Sequence, residues 1–252
     1  MACAAPLAHG SAVCPPSSRL SRQNSSKKRH TTCMFGGNSV NFVRTNPHYQ
    51  MSTKHKIRDQ HGLNFLTCTV CGWVDIFNHS AYRDIVLENL KFCSENKGLQ
   101  IWGYVIMSNH IHLIANTKPP FKLEAVMRDF KSYTARRILD SLLDQTIPES
   151  RREWLMHMLS YFAHRRRDSQ EHKLWQSGNH PVELYSEKVT MQKLQYIHAN
   201  PVRAKWVHKP EEWIYSSASN YALGHGVFDV KLLWSDFAED GWFFGNTDYP
   251  LM

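Results

Sequence analysis

Two histidines separated by a single residue are the first candidates for chemistry in this chain. His110 and His112 flank Ile111 in the segment QIWGYVIMSNHIHLIAN, which covers residues 100–116. Successive side chains of a β-strand point to opposite faces, so both imidazoles would lie on one face and Ile111 on the other. Neighbouring imidazoles can bind one divalent metal ion. The spacing therefore predicts a metal site, and the alternative is a pair of structural histidines in a sheet.

A tyrosine and an asparagine one helical turn apart are the second candidates. Tyr196 and Asn200 lie four residues apart in a segment with helical periodicity, so their side chains share a face. Met191 and Leu194 point roughly the other way, toward a core. One face of this helix thus presents a phenol and a carboxamide. The structural alternative is a tyrosine packed at the helix edge beside an asparagine that ends the helix.

The elements that must position these residues follow from hydrophobic periodicity. Residues 100–116 predict two strands joined by a turn at Ser108-Asn109, and residues 64–77 predict one buried strand. Helices are predicted over residues 80–97, 122–143, 148–167 and 187–199, the last ending at Asn200-Pro201 because a residue before proline disfavours helix. Residues 172–184 predict a broken strand. The order favours an α+β fold, with an antiparallel sheet and helices on one face.

The charge of the chain is concentrated in its first fifty residues. The 252 residues carry a net charge of +8, and residues 1–50 contain six basic residues and no acidic one. This segment is rich in Ser, Ala, Pro, Arg and Asn, which predicts disorder, an organelle transit peptide, or upstream sequence added by a wrong start codon ahead of Met51. We expect one domain over residues 51–235 and a tail over 236–252. No apolar run is long enough to span a bilayer, and we expect a cytoplasmic, nucleoid-associated protein.

The six cysteines predict buried thiols rather than a metal centre or a redox pair. Cys68 and Cys71 form a CxxC motif inside the predicted first strand, and the chain has no second pair to complete a zinc site. Reduced cysteines that fill the core of a cytosolic protein are the expectation.

Four motifs taken together resemble the single-tyrosine HUH transposases, and most of all their REP-associated tyrosine branch. The motifs are YVIMSNHIHLI, EAVMRDFKSYTARRI, WQSGNHPVEL and YIHANPVRAKWV, the last followed by PEEWIYSSASNY. The resemblance covers residues 64–221. It implies a ferredoxin-like HUH endonuclease fold, Mg²⁺ or Mn²⁺ bound by His110 and His112 with Asn200, and Tyr196 as the nucleophile. The glycine-to-tyrosine signature that often precedes the first strand in the REP-associated branch is missing, which puts a REP-type hairpin substrate in question.

Basic residues predict where DNA would bind. They are Arg128, Lys131, Arg136 and Arg137 on the second helix, and Arg165, Arg166 and Arg167 at the end of the third. These side chains would contact the phosphate backbone, and a merely solvated basic face is the alternative. Trp175 and Trp206 would stack on bases or be buried. Tyr133 is a competing nucleophile, but Arg137 rather than an amide lies four residues after it.

The function predicted from the resemblance is a metal-dependent DNA endonuclease and strand transferase. It would cleave single-stranded or hairpin DNA through a covalent 5′-phosphotyrosine. The sequence is compatible with a monomer and with a homodimer. A catalytically silent DNA-binding protein of the same fold and a metallohydrolase that activates water are the two alternatives. Recovery of a denaturation-stable protein–DNA adduct would separate the three.

Overall fold

A four-stranded antiparallel sheet forms the centre of the protein. A computed structural model of the chain describes residues 56–145, 147–165 and 170–233. The strands are β1 (Asn64–Thr69), β2 (Leu99–Ile106), β3 (His110–Thr117) and β4 (Val182–Glu183). The helices are α1 (Ser80–Asn96), α2 (Leu123–Leu143), α3 (Arg152–Arg165), α4 (Glu187–Arg203) and α5 (Ala218–Leu223). The strand order β2-β3-β1-β4 and the element sequence β-α-β-β-α-α-β, in which α2 and α3 together connect β3 to β4, give the predicted ferredoxin-like α+β topology.

Helices cover both faces of the sheet, so the prediction of helices on one face alone was wrong. One core cluster joins Leu66, Ile111 and Leu113 to residues of α1, α2 and α3. A second, smaller cluster lies on the other face, where Phe65 and Ile114 pack with Leu194 of α4. Because side chains alternate along β1 and β3, the even-numbered residues of β3 face α4.

The first strand is shorter than predicted because its chain turns at Gly72. β1 ends at Thr69, and Cys71–Trp73 and Ile76–Asn78 form short 3-10 turns. Gly72 has φ +64°, a left-handed conformation that glycine adopts without steric cost. A Cβ at this position would also overlap the ring of Phe162 on α3. The turn therefore needs glycine both for its backbone angle and for the close approach of α3.

The fourth helix passes through Pro201 and ends at Arg203, so its predicted end at Asn200-Pro201 was wrong. Proline has a helical φ and removes one backbone donor, which costs least near the end of a helix. The last turn keeps its bonds, because the Ala204 amide donates to the Asn200 carbonyl at 2.9 Å and the Trp206 amide donates to the Pro201 carbonyl at 3.0 Å. Pro201 itself is buried.

Close packing between α4 and the sheet is possible because β2 has a glycine where the helix crosses. A Cβ on Gly103 would lie 2.7 Å from Cδ1 of Leu194 and 3.0 Å from Cδ1 of Ile197. The strand pairing shifts register between Ile101 and Gly103, which marks a bulge at the same place. Gly103 thus fixes how near α4 lies to β2.

The outer edge of β2 is covered by the C-terminal part of the described chain. Tyr104 accepts a hydrogen bond from the Ser217 amide at 3.0 Å, and the Ile106 amide donates to the Tyr215 carbonyl at 2.9 Å. Farther along the strand, the Ile101 carbonyl accepts from the Lys231 amide at 2.9 Å. This strip pairs the backbone groups that an edge strand would otherwise expose.

Two further expectations concern buried groups and membranes. Cys68, Cys71 and Cys93 are buried, as predicted for cysteines that fill the core. Cys3, Cys14 and Cys33 lie outside it, as do residues 1–50 and 236–252 with their predicted boundaries. None of the described helices has the length and apolarity needed to cross a bilayer.

Candidate active site

The two histidines lie together on the sheet face that α4 covers. His110 and His112 stand at alternate positions of β3, opposite Thr69 and Thr67 of β1. Their ring centroids are 4.7 Å apart. Phe65 stacks on His112 with 5.1 Å between the ring centroids. The predicted pairing of the two imidazoles on one face is therefore what the strand produces.

Each histidine has one ring nitrogen held by a neighbouring side chain. Nδ1 of His110 lies 2.7 Å from Oδ1 of Asn109, whose amide nitrogen donates to the Trp73 carbonyl at 3.2 Å. Nδ1 of His112 lies 2.9 Å from the hydroxyl of Thr67. An amide oxygen only accepts, so Nδ1 of His110 carries the proton and Nε2 keeps its lone pair. The Nε2 atom of His112 is buried and has no hydrogen-bond partner in the described residues.

Burial keeps both imidazoles neutral. It lowers the pKa of His112 to about 3, with smaller effects from His110 and Lys193, and it also lowers the pKa of His110. A neutral imidazole with a free Nε2 is the form that binds metal ions. The donor set therefore fits a divalent cation at the two Nε2 atoms.

Tyr196 lies directly beside this pair. Its ring centroid is 5.4 Å from that of His112 and 6.2 Å from that of Phe65, and 37% of the residue is exposed to solvent. The phenol is thus anchored on one side by aromatic contacts and remains accessible on the other. Tyr133, the competing tyrosine, lies on α2, which packs on the opposite face of the sheet. The structure brings Tyr196, and not Tyr133, to the histidines.

Asn200 lies one turn after Tyr196, as its spacing predicts. Its amide nitrogen donates to the Tyr196 carbonyl at 2.9 Å. This bond leaves the carboxamide oxygen, a good ligand for Mg²⁺ or Mn²⁺, as an acceptor for another partner. The described residues contain no group of three or more His, Cys, Asp or Glu side chains that would hold a metal ion.

Two basic residues of α4 that were not predicted flank the tyrosine. Nζ of Lys193 lies 5.7 Å from the centroid of the Tyr196 ring and 4.9 Å from that of Phe65. The guanidinium carbon of Arg203 lies 5.6 Å from the Tyr196 centroid. Helical spacing would have indicated both, because positions three before and seven after Tyr196 fall on its face. They place positive charge around the phenol.

The other basic residues predicted to bind DNA lie elsewhere. Arg128, Lys131 and Arg136 line a groove of about 980 Å³ between α2 and residues 170–179. Arg137 is exposed on α2, and Arg165 is the last residue of α3. Arg166 and Arg167 lie outside the described residues. Because α2 packs across the sheet from α4, the groove and the histidine pair are on different faces.

Within that groove, the ammonium group of Lys131 is held by hydrogen bonds to the protein itself. Its ammonium donates to the carbonyls of Gln176 and Gly178, both at 2.7 Å, and lies 3.3 Å from Oδ1 of Asn179. Burial lowers its pKa. The Asn179 carbonyl in turn accepts from the Thr67 amide at 2.7 Å. Lys131 therefore fixes the segment that continues the sheet edge beside Thr67.

Of the two tryptophans considered for base stacking, one is in the core. Trp175 is buried, and its indole N–H donates to the Thr134 hydroxyl at 3.0 Å. Trp206 is partly exposed and packs against Trp213, with ring centroids 5.1 Å apart.

Known proteins match this chain at the level of family and of structure. Residues 70–173 match the family model described as "Transposase IS200 like", a segment that includes both histidines and ends before Tyr196. A solved REP-associated tyrosine transposase bound to a REP hairpin is similar at 16% identity and a TM-score of 0.49, over 75% of this chain and 94% of that one. A protein of Deinococcus radiodurans R1 assigned as a transposase is similar at 16% identity and a TM-score of 0.35, over 56% and 93%. No curated protein matches significantly. The family match confirms the resemblance predicted from the motifs.

Proposed function

We propose that this protein is a single-tyrosine DNA endonuclease and strand transferase, because residues 70–173 match the IS200-like transposase family. The single observation that carries the proposal is the phenol of Tyr196 beside two neutral histidines, one of which has a buried Nε2 atom with no hydrogen-bond partner among the described residues. A nucleophile next to two neutral imidazoles, whose nitrogens are common ligands of divalent metal ions, suits phosphodiester cleavage. The substrate class is single-stranded or hairpin DNA.

In the proposed reaction the oxygen of Tyr196 attacks the scissile phosphorus in line with the bond to the leaving O3′. The P–O3′ bond breaks as the Tyr–O–P bond forms, the phenol proton passes to solvent, and O3′ takes up a proton. The products are a 5′-phosphotyrosine and a free 3′-hydroxyl. Because the new bond is again a phosphodiester, a second 3′-hydroxyl can attack it and release Tyr196, which joins new ends without an external energy source.

A divalent cation fits the donor set and would be held by Nε2 of His110, Nε2 of His112 and the side-chain oxygen of Asn200. When bound, Mg²⁺ or Mn²⁺ polarises the phosphate and stabilises the charge that builds in the transition state. The protein's contribution is orientation: Asn109 and Thr67 fix the two rings by their Nδ1 atoms. Two histidines and one amide leave other positions open for water and phosphate.

Lys193 and Arg203 would support the attack with positive charge close to the phenol. Their charges lie within 6 Å of the Tyr196 ring centroid. Positive charge stabilises a phenolate as the proton leaves, and it attracts the anionic phosphate to the nucleophile. The remaining predicted DNA contacts, Arg128, Arg136, Arg137, Arg165, Arg166 and Arg167, would hold the phosphate backbone of DNA that extends beyond the site. Lys131 would contribute to DNA binding indirectly, by holding residues 176–179 in place.

The experiment that tests the proposal is capture of the covalent intermediate. The full chain is incubated with a pool of hairpin oligonucleotides that carry single-stranded flanks and with Mn²⁺, then denatured and resolved by electrophoresis. We expect a protein–DNA band that chelator abolishes, and the attached strand can be sequenced. Strand cleavage without an adduct would favour the water-using metallohydrolase. DNA binding with neither cleavage nor adduct would favour the catalytically silent protein.

A further inference from the structure

An exposed tryptophan lies next to the histidine pair, on the side away from Tyr196. Trp73 is 61% exposed, and its ring centroid is 5.9 Å from that of His110 in an edge arrangement. Tyr196 instead contacts His112. The four rings therefore follow one another across the site in the order Tyr196, His112, His110, Trp73.

The backbone holds this indole in place. Trp73 has φ +57°, a left-handed conformation that is uncommon for a residue with a side chain. Its amide donates to the Val70 carbonyl at 3.1 Å, and its carbonyl accepts from the side chain of Asn109 at 3.2 Å. The same Asn109 side chain binds Nδ1 of His110. One residue thus ties the position of the indole to the position of the imidazole.

A backbone conformation of this kind costs free energy, and such residues cluster at ligand-binding sites. Burial of the indole offsets little of this free-energy cost, because most of its surface stays in water. An accessible aromatic face beside a nucleic-acid site offers a platform on which an unpaired base can stack, whatever the identity of that base. On these grounds, and resting on the proposed function, we propose that Trp73 is the stacking platform for a base of the single strand on the 5′ side of the scissile phosphate.

The side of the phosphate follows from in-line attack. The nucleophilic oxygen and the leaving O3′ lie on opposite sides of the phosphorus, and O3′ belongs to the nucleotide on the 5′ side. Tyr196 approaches from the His112 end of the histidine pair. The leaving nucleotide therefore extends toward the His110 end, where Trp73 lies.

The test is a thermodynamic cycle between the indole and individual bases. Dissociation constants are measured by fluorescence anisotropy in a Tyr196→Phe background, which keeps the strand intact, with the full-length oligonucleotide whose 3′ part is recovered in the adduct. A parallel set carries an abasic site at each nucleotide flanking the scissile phosphate. We expect Trp73→Ala to weaken binding of the intact strand by about 5- to 150-fold, the range for one stacked base. Trp73→Phe should restore most of the affinity.

The cycle identifies the base. When the abasic site lies at one particular nucleotide on the 5′ side, the strand should bind the Tyr196→Phe protein equally well with and without Trp73→Ala, because the stacking partner of the indole is already missing. Trp154→Ala is the matched control, since Trp154 is 46% exposed on α3 and contacts Arg151 rather than a histidine. It should leave affinity unchanged.

Three results would overturn the inference. The first is an unchanged affinity for DNA in Trp73→Ala when its circular dichroism is native. The second is that the losses of binding free energy from Trp73→Ala and from the abasic site add at every position. The third is that they fail to add only at nucleotides on the 3′ side of the scissile phosphate. A different result would contradict the proposed function, namely that the wild-type protein forms no covalent adduct with DNA. In that case binding of an oligothymidylate strand gives the same comparison of Trp73→Ala with its parent, so the stacking role is supported or refuted separately.

Discussion

At the scale of single residues, the hydrogen bond between Thr67 and His112 offers a direct test of the metal site. Thr67→Val removes the hydroxyl 2.9 Å from Nδ1 of His112 and keeps the shape of the side chain. Partners of this kind orient a ligand ring, and their loss typically lowers metal affinity by about 10- to 100-fold. We expect that loss for Mn²⁺ by isothermal titration calorimetry, with Thr67→Ser close to wild type. Equal affinities for Thr67→Val and wild type would show that the bond does not orient a ligand.

Tyr196→Phe tests the nucleophile. The substitution keeps the ring contacts with His112 and Phe65 and deletes only the phenol oxygen. We expect the covalent adduct and strand cleavage to disappear, and stability to change by about 1 kcal/mol or less, the net value of one hydrogen bond. DNA binding should persist, because the basic side chains contact the phosphates.

Tyr133→Phe is its matched control, since Tyr133 is 42% exposed on the far side of the sheet. It should leave the adduct intact. An adduct that survives Tyr196→Phe and disappears in Tyr133→Phe, by denaturing electrophoresis, would mean that the wrong tyrosine was chosen.

Side-chain chemistry in this site was predictable where it depended on spacing within one element. The alternation of β3 was enough to pair His110 with His112. Helical spacing would also have found Lys193 and Arg203 beside Tyr196. Trp73 was not predictable, because its position depends on the chain reversal at Gly72 and on a hydrogen bond from Asn109, which lies 36 residues later.

At the scale of elements, the contact between Gly103 and α4 positions the nucleophile. Gly103→Val would push its side chain against Leu194 and Ile197. Overpacking of this kind costs about 1–3 kcal/mol, and here it would also lift the helix that carries Tyr196. We expect a lower midpoint in urea denaturation and a larger relative loss of adduct formation.

Removing the facing side chain provides the control. Leu194→Ala alone leaves a cavity and should cost about 2–5 kcal/mol. In the double variant with Gly103→Val, the valine side chain fills part of that cavity. The loss of unfolding free energy in the double variant should therefore be smaller than the sum of the two single losses. Strict additivity would mean that the two residues do not contact each other.

Element boundaries were harder to predict than element types. Residues 70–77 are mostly apolar, which favoured a continuous strand, but an isolated glycine within such a run often marks a bulge or a close approach of the backbone. The α4 boundary failed for the opposite reason, since proline was given too much weight. Its φ is compatible with the last turn of a helix, and burial of Pro201 supports the turn.

At the scale of the whole molecule, a buried histidine makes stability depend on pH. Burial lowers the pKa of His198 to about 3 from 6.5, and its Nε2 lies 2.8 Å from the Ser217 hydroxyl. The folded state thus resists protonation that the unfolded state accepts. Above pH 6.5 both states are neutral and the group has no effect. As pH falls from 6.5 toward 3, we expect stability to fall by up to about 1.4 kcal/mol per pH unit for this group.

The measurement is urea denaturation at several pH values between 7 and 5, in chelator so that no metal ion holds the histidines. His112, whose pKa is also lowered to about 3, acts in the same direction. His198→Gln removes one titrating group and keeps a polar partner for Ser217, so its pH dependence should be shallower. The same slope in both proteins would refute the assignment.

A chain that begins at Met51 tests the predicted boundary. The six basic residues and the absence of acidic ones in residues 1–50 predict a segment that adds only non-specific attraction for DNA. We expect the shortened chain to fold and to form the adduct like the full chain, with weaker binding to non-specific DNA at low salt. Loss of cooperative unfolding on this deletion would place the segment in the core.

The strip that covers β2 limits how copies of this chain can associate. An uncovered edge strand is a template on which another chain can add a strand, which leads to continuous intermolecular sheets or to aggregation. Here the strip around Tyr215, Ser217 and Lys231 already bonds that edge. A second copy could extend the sheet at β2 only after displacing this strip from its own molecule. Strand addition at β2 is therefore closed to the folded protein while the strip is in place, and unfolding of the strip would be the first step toward aggregation at this edge.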